Sequence, residues 1–118
     1  MNTHPFKAHV RRQDEHITID LSGEINSFAE TDLNEAYAEA ESSNPATIVL
    51  NFSSVSYINS TGIALIVGLL ARARKAKRQL AVYGLSDHYT EVFQITRLSD
   101  FMQIYPDEIS VSSQNLKE

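Results

Sequence analysis

The sequence predicts an α/β protein: a single mixed β-sheet packed with helices, in the order β-β-α-β-α-β-α-β. Three observations carry this. Two segments near the N-terminus alternate apolar and polar residues at period two. Later short runs, such as Thr47-Ile48-Val49-Leu50-Asn51-Phe52, are β-branched and nearly continuously apolar, as strands covered on both sides are. Between the runs lie stretches with apolar residues at helical period. Strands separated by helices call for parallel crossovers, and the opening pair adds an antiparallel hairpin.

Taken in order, Phe6, Ala8 and Val10 alternate with Lys7, His9 and Arg11 and form the first strand. Gln13-Asp14-Glu15 reads as a turn, and Ile17, Ile19 and Leu21 as the inward residues of the second strand, ended by Ser22-Gly23. Ser27 and Glu30 have capping-box spacing and open the first helix, whose stripe is Ala29, Leu33, Ala36, Tyr37 and Ala40. Pro45 pushes the residue before it out of the helical region and stops that helix. The central strand, Thr47 to Phe52, leads through a connection, Ser53 to Ile58, into a second helix from about Ser60 to Lys77. Ile63, Ile66, Val67 and Leu70 are its expected core stripe, widened by Leu65 and Leu69. Gly68 inside it costs about 1 kcal/mol relative to alanine, a cost that close packing would justify. Leu80 to Tyr83 is a further strand. Ser86 or Asp87 caps a third helix, about His88 to Thr96, with Tyr89, Val92, Phe93 and Thr96 inward and Leu98 packing beyond it. Phe101 to Tyr105 is the last strand, ended by Pro106.

The 118 residues are expected to form one domain, with a core over about 8–105 and a polar tail over 107–118. There is no cysteine, so disulfides, thiol nucleophiles and cysteine-bound metals are excluded. The longest apolar stretch, Ile63 to Ala71, is too short to span a bilayer, and a cytoplasmic setting without membrane insertion is expected. The net charge of −5 argues against nucleic acid as the main ligand. No phosphate-binding glycine loop and no nucleophile-elbow motif is present. His4, His9, His16 and His88 have no ligand spacing, so no metal or other cofactor is expected. His16 or His88 could in principle supply a base for Ser60, but nothing in the spacing supports it, so no enzyme is expected. The basic run Arg72, Arg74, Lys75, Lys77 and Arg78 reads either as an anion patch or as cations complementing a helix C-terminus.

What remains is Tyr57-Ile58-Asn59-Ser60-Thr61-Gly62-Ile63, where a strand passes into the most apolar helix. A hydroxyl at a helix start lies among unpaired N–H groups at the positive pole, a place that can seat a phosphate. The plainer reading is that Asn59 or Ser60 caps the helix, with Thr61 as its first residue.

With Gly23-Glu24-Ile25-Asn26, Ile48-Val49-Leu50-Asn51-Phe52 and Phe93-Gln94-Ile95-Thr96-Arg97-Leu98, that stretch resembles the STAS-domain family. Within it, the series is most similar to the small stand-alone anti-sigma factor antagonists of bacteria. The resemblance implies a switch. The serine after the acid of an Asp-Ser-[Ser/Thr]-Gly motif is phosphorylated by an anti-sigma serine kinase of the histidine-kinase-like ATPase type. The unmodified antagonist binds that kinase, the phosphorylated form does not, and a PP2C-type phosphatase resets it. Carried over, Ser60 is the phospho-acceptor, and Glu24, Asn26, Asn59, Ser60, Thr61, Gly62 and Ile63 form the partner-binding surface. Two positions depart from the family pattern: Asn59 and Asn26 stand where acids are usual. The alternative within the same family is an unphosphorylated docking module of a transporter or sensor complex.

Overall fold

A computed structural model describes residues 5–13 and 16–111. Five strands form one sheet in the order β1-β2-β3-β4-β5: β1 Lys7–Arg12, β2 Ile17–Ile25, β3 Thr47–Ile58, β4 Gln79–Tyr83 and β5 Gln103–Tyr105. β1 and β2 are antiparallel; the remaining pairs are parallel. The helices are α1 Glu30–Glu41, α2 Ser60–Lys75 and α3 Asp87–Ile95, with single 3-10 turns at Ser27–Ala29 and Leu98–Asp100. The mixed sheet with helical crossovers is the expected one. Asp14 and Glu15 of the expected turn, His4, and the end of the tail lie outside the described residues.

Alternation assigns the strands' two faces. Ile17, Ile19 and Leu21, Ile48, Leu50 and Phe52, and Leu80 and Val82 face the helices and pack with Leu33, Tyr37, Ile66, Leu69 and Phe93. Thr47 to Phe52 is covered on the second face too, where Val49 packs with Ala81, Tyr83 and Val111. Val111 belongs to a helical turn over 108–111, so the polar tail begins with a closing element.

A polar network crosses this second face. The Arg11 guanidinium holds Asp20 through two bonds, 2.6 and 3.0 Å, and reaches Glu108 at 3.1 Å. Asn51 also donates to Asp20, at 2.7 Å, and Gln13 to Glu108, at 2.9 Å. Burial pushes the Asp20 carboxyl up, but the bonds from Arg11 and Asn51 outweigh it and hold it below its ordinary value. Gln13 and Arg11 lower the Glu108 carboxyl likewise. Burial, reinforced by Glu108, pushes the Tyr83 phenol up to about 12.

Several boundaries differ from expectation. β2 runs past Ser22-Gly23 to Ile25, with register shifts between Asp20 and Ser22 and between Gly23 and Glu24. Gly23 takes a positive φ of 85°, which side chains disfavour, and lets the strand kink there and continue. The supposed connection Ser53 to Ile58 is therefore strand, paired with the extended β2. The Ser27/Glu30 capping box does not form; Asn26 caps the 3-10 turn that precedes α1. α2 ends at Lys75, because Lys77 lies at φ 59° and the Arg78 N–H closes back on the Ala73 carbonyl. Its buried face is Gly62, Ile66, Leu69, Leu70 and Ala73, whereas Val67 is 45% exposed. Gly68 has no neighbour within 4 Å of a would-be Cβ, so close packing does not explain it. Ser86 caps α3, and Thr96 is exposed past its end. Phe101 lies outside β5, half exposed under the Arg74 guanidinium. Among the described residues no helix is long and apolar enough to cross a membrane.

Candidate functional site

Parallel pairing sets the ends of β2 and β3 side by side, with Glu24 opposite Tyr57 and Ile25 opposite Ile58. The Tyr89 hydroxyl of α3 accepts the Ile58 N–H at 2.9 Å and pins the end of β3. From Ile58 the chain turns at once into α2. Asn59 is the cap: its backbone is extended, and its Oδ1 accepts the Gly62 N–H at 2.8 Å. The Asn59 N–H donates across to the Ile25 carbonyl at 3.2 Å. Four N–H groups at a helix start have no intrahelical acceptor. Asn59 thus satisfies its own and that of Gly62, and leaves those of Ser60 and Thr61 to solvent or an anion. Ser60 is the first helical residue and Thr61 the second, one position later than expected, and both are exposed. They stand at the positive pole of a helix of 16 residues.

Gly62 is buried. A Cβ there would run into the Ile25 carbonyl oxygen and come within 2.8 Å of Ile58 Cγ2. The glycine is what lets the start of α2 close on the end of β2. Ile63 is partly buried against the core.

On the β2 side, Asn26 uses both ends of its amide. Its Oδ1 accepts the Phe28 N–H at 2.9 Å, and its Nδ2 donates to Glu24 Oε1 at a long 3.5 Å. An aspartate could make the first bond but would set a second carboxylate beside Glu24. The structure thus brings Glu24 and Asn26 to the same end of the sheet as Asn59, Ser60, Thr61, Gly62 and Ile63. One residue here escaped the sequence reading: Phe28, 89% exposed on the 3-10 turn. Its signal was an aromatic residue lying off the stripe of α1.

His16 is buried where β2 begins, at the opposite end of that strand from Ile25. His88 is exposed on α3, its ring edge against Tyr89. Among the described residues no group of three histidines and acids is placed to hold a metal. Two cations of the basic run are used inside the fold. Arg72 pairs with Glu41 at 2.8 Å and lies over the Tyr37 ring. Arg78 is buried, donating to the Pro45 carbonyl at 2.7 Å, to Asn44 at 2.8 Å and to Glu41 at 3.4 Å.

A family model, the STAS domain, matches residues 7–110. The chain belongs to the STAS-domain family. Curated relatives of this STAS protein include the anti-sigma-B factor antagonist of Listeria monocytogenes, 31% identical over 104 residues, 88% of this chain and 91% of that protein. The anti-sigma-B factor antagonist of Staphylococcus aureus is 30% identical over 92 residues, 78% of this chain and 85% of that protein. Among solved structures, an anti-sigma factor antagonist from Mycobacterium paratuberculosis superposes with a TM-score of 0.81 at 18% identity, covering 93% of each chain. The antagonist SpoIIAA in its unphosphorylated form gives 0.70 at 18% identity, covering 96% of this chain and 98% of that one. These structural likenesses show a shared STAS fold. The family and its named relatives place the chain among regulators, not enzymes.

Proposed function

We propose that this STAS protein is an anti-sigma factor antagonist of a partner-switching pathway. With Ser60 unmodified it binds an anti-sigma serine kinase of the histidine-kinase-like ATPase type and frees the sigma factor. Phosphorylation of Ser60 by that kinase ends the complex, and a PP2C-type phosphatase restores it. The observation that carries the reading is an exposed Ser60 on the first turn of α2, with two N–H groups unspoken for.

The physics supports a switch without refolding. A phosphate adds about −1.5 to −2 charges and three acceptor oxygens. The helix N-terminus accommodates them, so the antagonist keeps its shape. Against a fitted partner the same group brings bulk and desolvated charge. A lost or mispaired charged contact costs about 2–5 kcal/mol, roughly 30- to 5,000-fold in affinity. Asn59 keeps the cap an aspartate would make and places no negative charge beside the phosphate.

The test is incubation of the purified chain with each serine kinase of this type from its own genome and ATP, followed by mass spectrometry. Phosphate is expected on Ser60 with one of them. Its absence with every kinase refutes the switch and favours the unphosphorylated docking module, because the same neutral Asn59 and Asn26 also offer a basic kinase site less to hold.

A further inference from the structure

We infer that Phe28 is the apolar anchor by which this protein grips its anti-sigma partner, a contact separate from the Ser60 switch. The inference rests on the proposed function for the partner's identity. The observation that carries it is an aromatic ring 89% exposed on the capped 3-10 turn Ser27–Ala29. Asn26 Oδ1 holds the Phe28 N–H at 2.9 Å, and the next residue, Ala29, is fully buried in the core. The ring is thus presented on a firm mount rather than on a free loop. Such presentation lowers the ordering cost of binding.

Placement ties it to Ser60. The Ile25 carbonyl accepts the Asn59 N–H at 3.2 Å. Phe28 is three steps along the chain from Ile25, so chain geometry puts the Phe28 and Ser60 backbones no more than about 18 Å apart. An interface of standard size covers about 800 Å² per partner, a patch roughly 30 Å across. One patch of that size is wide enough to take in both Ser60 and Phe28. Aromatic anchors buried in a partner's pocket are the common hot spots of such interfaces. The recognising surface is therefore an apolar pocket on the anti-sigma protein, beside the part of it that meets Ser60. Because the anchor acts whether or not phosphate transfer has begun, it contributes binding alone.

The experiment uses the full chain and the kinase that phosphorylates Ser60. Calorimetry compares wild type, Phe28→Ala, Phe28→Leu and Ser60→Asp, with thermal melts as a control. Phe28→Ala is expected to melt as wild type, to bind about 30-fold or more weakly, and to raise KM for Ser60 phosphorylation with kcat retained. Phe28→Leu, still apolar, recovers most of the affinity. Phe28→Ala binding as wild type while Ser60→Asp fails to bind overturns the anchor and leaves the proposed function standing. Ser60→Asp binding as wild type, or no kinase acting on the chain, overturns the proposed function and the anchor with it. Self-association in sedimentation that Phe28→Ala abolishes, with kinase affinity unchanged, assigns the ring to a second copy and also overturns it.

Discussion

The Asn59 side chain accepts the Gly62 backbone N–H at 2.8 Å, so the residue standing where an acid is usual is first of all the cap of α2. An amide oxygen does this as well as a carboxylate. We predict that Asn59→Ala costs about 1 kcal/mol of stability. Asn59→Asp should lose nothing, since it keeps the cap and adds a charge that the helix dipole favours by about 0.3–1 kcal/mol. Urea unfolding measures both. Equal losses in the two variants would show that Asn59 does not act as a cap.

The two glycines of α2 should respond oppositely to alanine. At Gly62 a Cβ collides with the Ile25 backbone, which cannot swing aside as a side chain would. Gly62→Ala is expected to destabilise by about 1–3 kcal/mol. At Gly68 nothing lies within 4 Å, and Gly68→Ala should stabilise by up to about 1 kcal/mol through helix propensity. Thermal melts that shift in the same direction for both would contradict the packing described.

Stability should fall in acid through the second-face network. The carboxyls of Asp20 and Glu108 are lowered in the fold from ordinary values of 3.8 and 4.5. A carboxyl lowered by folding stabilises above its unfolded value, and that contribution disappears as pH falls through the folded value. The prediction is a urea midpoint steady from pH 7 to 5 and dropping below pH 4. Glu108→Gln should flatten part of that drop. An unchanged acid profile in Glu108→Gln would mean that Glu108 does not couple the 108–111 turn to Arg11.

Arg78 clamps the turn between α1 and β3 through Pro45, Asn44 and Glu41 while buried. Arg78→Ala strands these acceptors and should cost about 2–3 kcal/mol. Arg78→Lys should recover only part, because one ammonium cannot make the planar fork of bonds. Full recovery by lysine, read from urea midpoints, would reduce the role to charge alone.

Much of this was legible in sequence, and the failures have physical causes. Leu33, Tyr37 and Ala40 lie on α1's buried face as their spacing required, because that helix has only one apolar side. In α2, apolar residues surround the helix, so period alone did not separate buried Leu69 from exposed Val67. Ser53 to Ile58 is too polar to declare itself a strand; it is one because the kinked end of β2 pairs with it. Arg11 and Glu108 lie near opposite ends of the chain, and no local pattern announces their contact. The Ser60 site was legible because cap, hydroxyls and glycine are contiguous. Phe28, Glu24 and Asn26 join it only through the pairing of β2 with β3.

The central claim is that one phosphate on Ser60 decides binding. Its most direct test is calorimetric titration of the anti-sigma kinase with the unmodified chain and with the chain phosphorylated at Ser60. The account predicts that the phosphorylated form binds roughly 30- to 5,000-fold more weakly, with the same fold by circular dichroism. Equal affinities for the two forms would contradict it.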